Sequence, residues 1–148
     1  LLVNGGRVEG SKEALQRRKM PIERRGLTHH ASVGGFRFYI TAGLYDDGTV
    51  GEIFIKGAGK EGSTIQGLLD GYATMWSIGA QYGADFDMLV RKFAHRRFEP
   101  LGETDNPDIP WASSFLDYIA RWLAFHFGSS ELNDDLNKIT DEMRRKVV

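Results

Sequence analysis

At 148 residues, with 41% hydrophobic and 11% aromatic content, the chain has the size and make-up of one globular domain and is too short for two. Nineteen basic side chains against twenty acidic ones leave a net charge of −1, which argues against a dedicated nucleic-acid binder but leaves room for a local basic patch. The lack of any cysteine excludes a disulfide scaffold, a thiolate metal site and thiol catalysis, and no apolar run reaches the length of about 18 residues that a membrane span needs.

The first 25 residues hold seven Lys/Arg against three Glu, so the chain opens on a locally basic segment. It has no signal-peptide apolar stretch and no initiator methionine, and the sequence reads as a fragment or as a chain whose first residues are absent. Residues 1–10 carry no period, and Ser11 to Lys19 are expected to form a short helix capped by Ser11. Pro21 closes it. The period then shortens to two: Thr28 to Val33 predicts a strand, Gly34-Gly35 a tight turn, and Phe36, Phe38 and Ile40 the apolar face of a second strand. Asp46-Asp47-Gly48 predicts a second turn, and Val50 to Lys56 a third strand with a buried centre.

From Ser63 the spacing becomes helical, with Ile65, Leu69, Tyr72, Trp76 and Gly79 on one stripe and Gly83 as the stop. Ser63 and Gln66 have the spacing of a capping box. Interior glycines cost about 1 kcal/mol each relative to alanine, so Gly67 and Gly71 point to close approach by a sheet, a helix or a second subunit. Asp85 predicts the cap of a short helix ending in the cations Arg91, Lys92, Arg96 and Arg97. Residues 98–110 read as a loop, and Trp111 to Phe127 as an aromatic helix stapled by Asp117 and Arg121 and ended by Gly128. The tail from Ser129 is polar and reads as a solvated helix or as disorder. The fold expected is therefore α+β: a three-stranded antiparallel meander packed on one face by about three helices. Residues 1–20 are expected to be a basic arm, 21–128 the domain, and 129–148 a polar tail.

Two groups of residues are candidates for binding an anion. The corner between the third strand and the long helix, with Gly59, Lys60, Gly62, Ser63 and Thr64, offers backbone N–H groups and one lysine at a helix N-terminus. It is not a Walker A loop, because Glu61 and Gly62 follow the lysine. The run RKFAHRRFEP adds Arg91, Arg96 and Arg97 beside Phe93 and Phe98, a mixture suited to phosphates and stacked bases, and equally to a helix terminus paired with the acidic loop after it. His29 and His30 are neighbours in a strand and face opposite ways, and no histidine spacing matches a metal motif. The residues call for no metal, no cofactor and no catalytic set.

Several blocks in order resemble one family. Arg24-Arg25, Tyr39-Ile40-Thr41, Asp47-Gly48, GEIFIK at 51–56 and KEGSTIQGLLDGYAT at 60–74 carry the resemblance, with LVRKF at 89–93, RFEPLGETDNP at 97–107 and SFLDYIARWL at 114–123. Together, over about residues 17–127, they resemble the TSCPD domain, the C-terminal domain of adenosylcobalamin-dependent (class II) ribonucleotide reductases. In that family the chemistry belongs to a barrel with radical and redox cysteines, so the resemblance implies a non-catalytic domain here. The Thr-Ser-Cys-Pro-Asp motif itself is missing, and a role for its cysteine does not transfer.

The resemblance implies a cytoplasmic accessory or stand-alone domain that acts by association with a class II reductase catalytic chain, or as a homo-oligomer. The alternative is a module that binds a nucleotide or nucleic acid through Lys60 and the arginine cluster, in one form phage-encoded and sequestering a nucleotide.

Overall fold

The computed structural model describes residues 2–3, 7–8 and 15–147. Strands β1 (Leu2–Val3) and β2 (Arg7–Val8) pair antiparallel. Residues 15–20 follow without regular structure, so the predicted helix does not form over its second half, and Ser11 to Ala14 lie outside the described residues. The backbone there is engaged elsewhere: the Arg18 N–H donates to the Gln81 carbonyl at 2.8 Å, and the Tyr45 hydroxyl donates to the Arg18 carbonyl at 2.7 Å. Groups held by tertiary partners are not free for a helical ladder.

The meander follows as the alternation predicts. Strands β3 (Gly26–Val33), β4 (Phe36–Leu44) and β5 (Val50–Lys56) form one antiparallel sheet in that order. Gly34 and Gly35 take φ of 56° and 84° in the first turn, values that favour glycine in a two-residue hairpin. Ala31, Val33, Phe38, Ile40, Ala42, Ile53 and Ile55 point inward and are buried. The opposite face carries His30, Tyr39, Phe54 and Lys56. A side chain at Gly43 would collide with the Glu52 carboxylate, so the glycine is what lets Glu52 lie across the sheet and pair with Arg24.

Helix α1 (Thr64–Gln81) runs along the free edge of β5. The edge strand's unpaired groups are met by polar side chains of the helix. Ser77 Oγ accepts from the Ile53 N–H at 2.9 Å, Gln66 Nε2 donates to the Ile55 carbonyl at 2.8 Å, and Gln81 Nε2 donates to the Gly51 carbonyl at 2.9 Å. The sheet edge is thereby closed against pairing with another strand. The capping box is half realised: Ser63 Oγ accepts from the Gln66 N–H, whereas the Gln66 amide turns to β5 and accepts from the Ala58 N–H.

Asp85 caps α2 (Phe86–Arg91) as expected. Strands β6 (Gly102–Glu103) and β7 (Trp111–Ala112) then pair antiparallel. The aromatic helix α3 (Phe115–Phe127) accordingly starts four residues later than its periodicity predicts, with Ser114 as cap. Trp111 is held in extended form by β6, and its carbonyl accepts from Arg121 at 2.7 Å. Helix α4 (Ser130–Val147) forms from the polar tail and buries Leu132, Leu136 and Thr140. The architecture is thus α+β, a three-stranded antiparallel sheet with four helices among the described residues. Phe38 packs on Phe115 and Tyr118 edge-on, joining the inner sheet face to α3.

Candidate functional site

The corner before α1 is built by three glycines in left-handed conformation, Gly57, Gly59 and Gly62. Beside it lies a cavity of about 450 Å³ lined by Lys56, Glu61, Ser63, Gln66 and Asp70 among others. Ser63 already accepts one of the amides at the helix start. Two carboxylates in the wall, Glu61 and Asp70, oppose an anion there, and Lys60 is exposed without contributing to the wall.

The second group is spoken for in part. Arg91 pairs with Asp135 of α4 at 3.0 Å, and the Arg96 guanidinium donates to the Lys92 carbonyl at 3.0 Å and lies over the Phe93 ring. Arg97 is exposed. None of these three arginines lines the cavity at the corner. The aromatic neighbours Phe93 and Phe98 are turned inward against Tyr72 and Phe115.

Below this cluster sits a buried ion pair. Asp117 is fully buried and bonded to Arg121 at 3.1 Å, and it also accepts from the backbone N–H groups of His95 at 2.7 Å and Ser113 at 3.0 Å. His95 takes φ of 65° and places Nε2 at 3.0 Å from both the Leu136 carbonyl and Thr140 Oγ1 of α4. Burial holds its pKa below the ordinary value, with Asp117 opposing.

The two adjacent histidines diverge as their strand position requires. His29 points inward, stacked on Tyr118 and Trp122, with Nε2 at 2.6 Å from the Tyr118 hydroxyl. Asn106 Nδ2 donates to the same hydroxyl at 3.0 Å. Burial lowers the His29 pKa and raises that of Tyr118. His30 points outward, stacked on Tyr39.

A further cavity of about 490 Å³ opens between the β4–β5 turn and the helices, walled by Tyr45, Val50, Phe86, Leu89, His126 and Phe127 among others. Arg18 closes one side, lying over the Tyr45 ring at 3.7 Å and bonded to Asp47 at 3.1 Å. Hydrogen bonds from the Thr49 side chain and backbone, with Arg18, lower the Asp47 pKa to about 2.

The feature that residue-by-residue inspection of the sequence passes over is the outer side of α1. Thr64, Leu68, Gly71, Met75, Ile78 and Tyr82 recur at three and four, forming a second stripe opposite the buried one. Leu68 is 71% and Met75 67% exposed. A side chain built on Gly67 or Gly71 would meet nothing within 4 Å, so neither glycine serves a close approach inside the described chain. A helix apolar on two sides is expected where both sides are covered. The signal was present in the spacing: the sequence supports two apolar stripes on α1, and only one of them fits the core.

Among the described residues, no group of three or more His, Asp or Glu is placed to hold a metal, and no helix is long and apolar enough to cross a membrane.

Comparison with known proteins agrees with these blocks. The model of the TSCPD domain family matches residues 13–127. The vitamin B12-dependent ribonucleotide reductase of Rhodopirellula baltica is 50% identical over 114 residues, which is 77% of this chain and 11% of that protein. Its counterpart in Streptomyces avermitilis is 41% identical over 130 residues, 88% of this chain and 13% of its own length. That of Bradyrhizobium diazoefficiens is 44% identical over 115 residues, covering 77% and 9%. No solved structure matches. The chain spans about a tenth of the length of each of these three relatives. With the family model covering most of its length, and the strand–corner–helix block lying inside that match, the chain belongs to the TSCPD domain family.

Proposed function

We propose that this chain is a non-catalytic module of a vitamin B12-dependent ribonucleotide reductase system, acting by association with the catalytic polypeptide through the outer stripe of α1. The observation that carries this is the pairing of a reductase-like sequence with a helix that leaves Leu68 and Met75 uncovered. Full burial of two such side chains contributes about 1.5–3 kcal/mol each, a sizeable part of a micromolar association. The chemistry of the reductase would reside in the partner, and the module would share its cytoplasmic compartment. Self-association through the same stripe is the other form this reading takes.

The nucleotide alternative rests on the amides and Lys60 at the corner. It ranks second because Glu61 and Asp70 line the cavity there and Arg91 is bonded to Asp135.

The test is co-elution with a vitamin B12-dependent reductase polypeptide from which the TSCPD stretch has been removed. A complex at micromolar concentration is expected. No complex with both partners folded would contradict the proposal.

A further inference from the structure

The outer face of the sheet is open among the described residues, and its side chains are not those of a merely solvated surface. His30 of β3 lies opposite Tyr39 of β4, and their rings stack with centroids 4.3 Å apart and planes within 11°. Tyr39 lies opposite Lys56 of β5, which places Phe54 on the adjacent diagonal, a separation of about 7–8 Å in an antiparallel ladder. Tyr39 is 46% and Phe54 45% exposed, so no described element covers them. Two rings on adjacent strands thus offer faces or edges to solvent, and one is already buttressed by an imidazole.

The groups between the rings are polar and basic. Arg37 lies two residues before Tyr39 on the same face and is exposed. Lys56 reaches only a long contact with Asp70, at 3.8 Å. Thr28 and Thr41 are hydrogen-bonded to each other at 3.0 Å beside Phe54. The one carboxylate that β3, β4 and β5 place on this face, Glu52, is 9% exposed and held by Arg24 at 2.5 and 3.3 Å. The face therefore combines exposed aromatic rings with two exposed cations, Arg37 and Lys56, of which Lys56 lies within 3.8 Å of Asp70 of α1.

We infer that this sheet face binds single-stranded nucleic acid, with bases stacking on Tyr39 and Phe54 and phosphates meeting Arg37 and Lys56. Aromatic side chains on an open antiparallel sheet are a general solution for unpaired bases, because every base has a π-face, and flanking cations track the backbone. A protein partner fits less well, since threonines, a histidine and two cations separate the apolar groups. The site shares Lys56 with the wall of the glycine–lysine corner and none of its residues with the arginine cluster. It does not use the α1 stripe that serves the proposed association.

Fluorescence anisotropy of a dye-labelled ten-nucleotide single strand, as DNA and as RNA, titrated with the protein tests it. Saturable binding that weakens with salt is expected, with a duplex of the same sequence bound more weakly because its bases are already stacked. Tyr39→Ala and Phe54→Ala each weaken binding by about tenfold. Arg37→Gln and Lys56→Gln each reduce the log–log salt slope by about 0.7. All four variants should keep the parent melting temperature and far-ultraviolet circular dichroism within error, since the positions are exposed. No change in anisotropy up to about 100 μM protein, the weak end of non-specific binding, overturns the inference. So does a Tyr39→Ala/Phe54→Ala variant that binds the strand normally, or one that loses reductase association in place of strand binding.

Discussion

At the scale of single residues, Asp117 is the most constrained side chain of the fold. It is fully buried and has four tasks: its carboxylate pairs with Arg121 and accepts from the N–H groups of His95 and Ser113, and its own N–H donates to the Ser114 cap. Asp117→Ala would leave a buried guanidinium without its carboxylate, and urea denaturation is expected to show a loss of about 3–5 kcal/mol. The i,i+4 spacing of Asp117 and Arg121 was legible in the sequence. Their burial was not, because the groups that enclose them come from the His95 loop and β7, which local periodicity does not place. The histidines give a second prediction. Burial lowers the pKa of His29, His95 and His126 below 6.5, so the folded chain binds fewer protons there than the unfolded one. Their contribution is fully present above pH 6.5 and declines as pH falls below it. The melting temperature is expected to be lower at pH 5.5 than at pH 7.5, and His95→Gln to show a smaller drop.

At the scale of elements, the decisive contact is that of α1 with the edge of β5. Ser77 Oγ accepts from the Ile53 N–H and donates to the Ala73 carbonyl at 2.7 Å, so one hydroxyl ties strand to helix. Ser77→Ala leaves a buried N–H without a partner and is expected to cost about 1–3 kcal/mol. Amide hydrogen exchange at Ile53 should accelerate in the same variant. The sequence showed the strands, their turns and α1, because alternation and helical spacing are local signals. It misplaced the start of α3, since Trp111 fits the helical stripe and only its pairing with Glu103 keeps it extended. The tail became ordered for a related reason: Leu132, Leu136 and Thr140 form a narrow stripe within a polar helix, and its value depends on the α3 surface beneath it. Gln66, Ser77 and Gln81 read as polar positions, yet they share the face of Leu69, Ala73 and Trp76, and that shared face is the signal of an edge-capping helix.

At the scale of the whole molecule, the apolar groups divide into those the fold covers and those it leaves open. The inner sheet face, α3 and the inner stripe of α1 form the core, while Leu68, Met75 and Tyr82 remain outside it. The proposed association places the outer stripe of α1 against the part of a reductase polypeptide that this chain does not match. The corner residues around Lys60 were legible as a motif, but the carboxylates beside them came from α1 and from the turn, and only the fold brings Asp70 to the same cavity. The measurement that tests the account most directly is isothermal titration of the TSCPD-deleted reductase polypeptide with this chain and with its Leu68→Glu/Met75→Glu variant. The account predicts saturable binding by the parent and at least a hundredfold loss in the variant, about 2.7 kcal/mol, with an unchanged melting temperature. Equal binding by the two would contradict it.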